Sequence, residues 1–134
     1  MFIDHQQVYA EVLSWGVPTL IASKTGVDGN TLATTNLTNI TGLTPATTLA
    51  TFAVIKYATG TYTLGVIRVK SNATTVLSGL IALSGLASGK PVTATIPVAT
   101  GLLNDGTGSY SVEVTTINGS GATFDIYLFG IKLP

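Results

Sequence analysis

The sequence predicts an all-β protein, an antiparallel β-sandwich with the jelly roll as the preferred form. Three observations carry that expectation: short segments of alternating apolar and polar residues, turn formers between them, and abundant threonine beside only 9% charged residues. Alternation with period two marks a half-buried strand. Threonine is β-branched and favours strands. Eight or nine such segments separated by Gly, Asn, Asp and Pro are the pattern of a sandwich or jelly roll.

The start of the chain is read differently. Asp4 and Gln7 have capping-box spacing, Gly16 suits a C-cap, and Pro18 lies just beyond. Val8, Val12 and Trp15 then share one helical face, whereas a strand would group Tyr9, Glu11, Leu13 and Trp15. Residues 1–16 are expected as a short helix or arm, and residues 17–134 as a single β-sandwich domain.

From Val17 onward the chain reads as strand and turn. Val17–Ser23 is a short strand, and Lys24–Asn30 a loop with the turn formers Gly26, Asp28, Gly29 and Asn30. Thr31–Leu43 is too irregular for one clean strand. Leu49–Tyr57 and Tyr62–Lys70 are firm strands around Thr59-Gly60, expected to form a hairpin. Val76–Leu86 fits helix or strand, and its two glycines favour strand. Pro91–Val98 alternates, and its prolines push it toward a sheet edge or a strand end. Tyr110–Thr115 and Thr123–Leu133 are expected to pair as a closing hairpin about Asn118-Gly119-Ser120-Gly121, residues that tolerate positive φ.

The last segment is unusual. Phe124, Ile126 and Leu128 make one apolar face, while Tyr127, Phe129, Ile131 and Leu133 make the other face apolar beyond Asp125. A strand apolar on both faces is covered on both. The domain core supplies one cover; a partner subunit or a local loop supplies the other. Tyr127, Phe129 and Ile131 are therefore expected as a homo-oligomer interface, with Tyr9, Leu13 and Trp15 as the second choice.

Composition excludes several classes. Six basic residues balance six acidic ones, and nothing clusters as a phosphate-binding surface would, so no nucleic acid is expected. Apolar residues reach 46%, yet no uninterrupted run approaches the roughly 18 of a transmembrane helix, so no membrane partner is expected. The absence of cysteine removes disulfides and thiolate metal sites. Met1–Gln7 lacks the basic and apolar regions of a secretory signal peptide.

Chemistry is sparse. His5 is the only histidine and sits far from any strand-end constellation, with no G-x-S-x-G elbow in the chain. The carboxylates Asp4, Glu11, Asp28, Asp105, Glu113 and Asp125 are dispersed, so a glycosidase pair would need assembly by the fold. Asp28-Gly29-Asn30 and Asn104-Asp105-Gly106 offer oxygens to calcium, but Asx turns explain both without a metal. Sequons at Asn36, Asn39, Asn72 and Asn118 are what a threonine-rich chain contains by chance. The expectation is no enzyme, no cofactor and no metal.

One resemblance adds to this. Val92-Thr93-Ala94-Thr95-Ile96-Pro97-Val98, Tyr110–Thr116 and Phe124–Ile131, in a chain low in charge and rich in Thr, Gly and Ala, resemble the small jelly-roll proteins of virus particles. The nearest in style are bacteriophage capsid decoration (cement) proteins and head-fibre domains. The resemblance implies a structural virion protein on the capsid surface, a homotrimer seated on the major capsid protein, and a last strand inside one sheet. The alternatives are a receptor- or glycan-binding module of a fibre tip, and a cell-surface filament subunit.

Overall fold

The computed structural model describes residues 17–72, 75–84, 86, 91–96, 108–117 and 121–133. The expected helix or arm at 1–16 lies outside them, as do Asn104-Asp105-Gly106 and Asn118-Gly119-Ser120. Among the described residues there is no helix, and the strands are β1 (Thr19–Asp28), β2 (Thr34–Asn36), β3 (Thr38–Asn39), β4 (Thr48–Thr59), β5 (Val66–Ser71), β6 (Thr75–Val76), β7 (Ile81–Ala82), β8 (Val92–Thr95), β9 (Tyr110–Thr116) and β10 (Thr123–Lys132). They form two antiparallel sheets. The first runs β3-β1-β10-β4-β8, and the second β2-β9-β5-β6 with β7 also paired to β5.

The sheets pack face to face as a β-sandwich, and the alternation of each strand decides what fills the space between. Ala53, Ile55, Phe124, Ile126 and Leu128 point inward from the first sheet; Ile67, Val69, Val112 and Val114 meet them from the second. Fully burying a side chain of the Val, Ile, Leu or Phe class contributes roughly 1.5–3 kcal/mol. β10 lies between β1 and β4, so the last strand is interior to its sheet. β8 lies at the edge, as its flanking prolines required.

Both expected hairpins are corrected. β9 pairs with β2 and β5, while β10 pairs with β1 and β4, so the closing segments lie in opposite sheets. β4 and β5 are likewise in opposite sheets. Residues 117–122 and 60–65 connect them, and such connections are long enough to cross the roughly 10 Å between packed sheets. Tyr62 therefore belongs to a connection, with its ring in the core edge-on to Phe124 at 6.4 Å.

Two further expectations change. The segment Lys24–Asp28 is strand, carried past a register shift between Lys24 and Val27, where Gly26 takes φ 64°. The single strand expected over Val76–Leu86 is instead the two short strands β6 and β7, each against a different stretch of β5.

Candidate functional site

The outer face of the first sheet is the feature that no part of the fold explains among the described residues. Residues opposite one another on paired strands share a face. Leu20 on β1, Phe129 on β10, Phe52 on β4 and Thr95 on β8 are therefore one row across the sheet. Ser23, Tyr127, Val54 and Thr93 are the next. Leu20, Phe52, Val54, Tyr127 and Phe129 are each only partly buried. Phe52 and Phe129 stack nearly parallel, with centroids 4.9 Å apart and 8° between planes. The Lys56 ammonium stands 5.8 Å from the Tyr127 ring centre.

Two of the three expected interface residues, Tyr127 and Phe129, lie in this patch, and Ile131 lies beside it. Ile131 faces outward opposite Leu49 but is only 8% exposed, so little of it remains for a partner. Beside them stand Leu20, Phe52 and Val54, which the sequence reading did not single out. Phe52, Val54 and Lys56 alternate along the β4 segment, and that was the available signal. The second-choice residues Tyr9, Leu13 and Trp15 lie outside the described residues.

A different apolar surface occurs where β9 ends. Val66 pairs with Thr116, and Thr34 with Glu113. Leu64, Leu32 and Ile117 accordingly flank one end of the second sheet, and all three are exposed.

The described carboxylates are engaged in holding the fold. Asp28 Oδ1 accepts the Asn30 N–H at 2.8 Å, and Oδ2 accepts the Thr31 hydroxyl at 2.7 Å. These bonds, the backbone one foremost, hold its carboxyl below the usual range. Asp125 Oδ1 accepts the Gly26 N–H at 2.9 Å. Glu113 accepts from Lys70 at 3.1 Å and Arg68 at 2.6 Å on the outer face of the second sheet. Among the described residues no group of three His, Asp or Glu stands close enough to hold a metal ion. His5 lies outside them.

No protein-family model matches the chain, and no curated protein or solved structure matches it.

Proposed function

We propose that this chain is a structural protein that associates with its own copies and coats a larger assembly: a capsid decoration protein of jelly-roll topology, set as a trimer on the major capsid protein of a virus particle. The supporting observation is the outer face of the first sheet. Leu20, Phe52, Val54, Tyr127 and Phe129 form a contiguous apolar patch on a molecule with little charge to keep it dispersed. The strand orders β1-β10-β4-β8 and β2-β9-β5-β6 agree with a jelly roll. The exposed Leu32, Leu64 and Ile117 supply a separate surface, as a chain that meets both its own copies and a capsid requires. The virion setting follows the resemblance in style of chain.

A glycan site is less favoured. A sugar platform needs free flat ring faces, whereas Phe52 and Phe129 turn theirs toward each other and Tyr127 carries Lys56.

The test is light scattering on the wild type and on Phe129→Glu, followed by binding to isolated capsids. An oligomer that Phe129→Glu reduces to monomer, with unchanged β-type circular dichroism, supports the proposal, because the substitution buries an unpaired charge at each contact. A wild type that stays monomeric at high concentration overturns it.

A further inference from the structure

We propose that the end of the sandwich bearing Leu32, Leu64 and Ile117 is the surface that seats on the major capsid protein, and that it holds there only when three copies present it together. This rests on the trimer and capsid setting proposed above and names the residues, chemistry and valency of that contact.

The topology builds this end. Residues 29–33 lead from β1 to β2, 60–65 from β4 to β5, and 117–122 from β9 to β10. Each connection passes from one sheet to the other. The pairings of Thr123 with Asp28 and Thr59, and of Val66 with Thr116, bring all three to the same end. Each connection exposes one large aliphatic side chain, Leu32, Leu64 and Ile117 in turn. The base beneath them is fixed. Tyr62 is buried in the core, and the Gly29 N–H donates to the Ala122 carbonyl at 3.0 Å.

The chemistry of the occupant follows from what this end lacks. None of the residues in the three connections is charged. Asp28 adjoins them, and both its oxygens are bonded within its own turn. A charged occupant would give up its hydration here with no counter-charge to meet it. The occupant is therefore an uncharged, apolar protein surface. The opposite end exposes Val17 and Ile40 but also carries the exposed Lys132.

Area sets the valency. The end is four strands wide at roughly 4.8 Å each and about 10 Å deep between the sheets, so it measures on the order of 200 Å². A stable interface takes about 600–1,000 Å² from each partner. One end falls well short, and three reach the lower bound. Symmetry supplies them, because rotation about a three-fold axis keeps the axial direction of every element. All three ends then face the same side of the trimer. Contact between copies through the outer face of the first sheet uses a side of the sandwich and leaves the ends open.

The experiment uses the full chain and isolated capsids. Light scattering on the wild type comes first, and a monomer overturns both the self-association and this inference. Capsids that take up no wild-type trimer overturn the capsid setting and this inference with it. Leu32→Asp and Ile117→Asp should keep the trimer and the circular dichroism of the sandwich, and should weaken capsid binding by at least about tenfold. Leu32→Gln, which adds no charge, should weaken it in the same direction. Monomeric Phe129→Glu, with its end intact, should bind at least about a hundredfold more weakly than the trimer. Raising the salt from about 0.1 to 0.5 M should leave wild-type binding unchanged, since screening weakens only ionic contacts. Neutral phosphatidylcholine vesicles should bind nothing, and vesicles that take up the trimer would make the occupant a lipid surface. Trimeric Leu32→Asp and Ile117→Asp that bind capsids as the wild type does overturn the inference and leave the self-association standing.

Discussion

The hydroxyl oxygen of Tyr110 lies 2.8 Å from Oγ1 of Thr48, and the pair joins the first residue of β9 in one sheet to the first residue of β4 in the other. Both residues are buried. Thr48 Oγ1 also lies 2.6 Å from the Thr44 carbonyl, which takes the threonine hydrogen. Tyr110 is therefore the donor across the sandwich. Burial shifts its titration upward, and the Thr48 bond opposes that shift. Its hydrogen is shared with the Thr48 carbonyl at 3.3 Å, so Tyr110→Phe removes this shared buried hydrogen bond and leaves the Thr48 hydroxyl satisfied by Thr44. The expected cost is about 1 kcal/mol, or roughly 3–6 °C in Tm for a domain of this size. Urea unfolding of both proteins checks it, and an unchanged midpoint would deny the bond any net worth.

Tyr62 should behave in the opposite sense. Its ring fills the core, yet among the described residues its buried hydroxyl has no hydrogen-bond partner. Tyr62→Phe removes an unsatisfied polar atom and keeps the ring, so stability should hold or rise by up to about 1 kcal/mol. Burial, with help from the charges of Asp28 and Asp125, pushes the Tyr62 hydroxyl well above its ordinary range. The folded state then holds this proton more tightly than the unfolded chain does. The corresponding stability is complete below about pH 10 and falls as pH rises further, by up to about 1.4 kcal/mol per unit. Alkaline unfolding of Tyr62→Phe should be shallower than wild type; equal slopes would refute this.

Glu113 governs the acid side. Lys70, whose side chain is only 7% exposed, hydrogen-bonds to it, and Arg68 adds a second bond. The Lys70 bond is the leading cause that holds the Glu113 carboxyl below its usual range, against a desolvation that raises it. Because the folded value is the lower one, the stabilisation is present above about pH 4.5 and lost as pH falls through the folded value. Glu113→Gln strands the Lys70 charge and should cost on the order of 1–3 kcal/mol at pH 7. Lys70→Met should cost less, since it removes the poorly solvated charge itself. Thermal melts between pH 3 and 7 give both numbers, and a Glu113→Gln curve parallel to wild type would contradict the assignment.

What was legible in the sequence was local. Period-two alternation located β9 and β10 almost to the residue, and the prolines around Val92–Thr95 put that strand at an edge. Pairing was not legible. Asn118 to Gly121 signals a reversal, but a reversal of that length fits a hairpin or a crossing to the opposite sheet. The choice depends on which neighbours compete for the strand edges. β1 and β4 won β10 with long matching registers that no local window contains. The same competition hid half of the candidate site. Phe129 was visible as an outward aromatic on a doubly apolar strand, whereas Phe52 and Leu20 became its neighbours only once β4 and β1 closed around β10.

Gly130 shows how closely that arrangement is fitted. Its partner on β4 is Ala50, while Phe129 pairs with Phe52, so Thr51 is an extra residue at a bulge facing it. Thr51 Oγ1 secures the bulge by donating to the Phe129 carbonyl at 3.1 Å. A Cβ on Gly130 would stand 2.8 Å from Ile21 Cδ1 and 3.0 Å from Ala50 Cα, and would overlap the Leu49 carbonyl oxygen. The Ile21 methyl can turn aside, but the β4 backbone cannot without opening the β10 register. Gly130→Ala should therefore cost about 2–3 kcal/mol through overpacking. Gly79→Ala meets nothing within 4 Å and should stay within about 0.5 kcal/mol of wild type. Opening the β10 register at Gly130 would also tilt Phe129 and Phe52 out of their stack, so the self-association proposed above should weaken together with the fold. Chemical denaturation of the two variants separates the cases: equal midpoints for Gly130→Ala and Gly79→Ala would mean that β4 yields at its bulge.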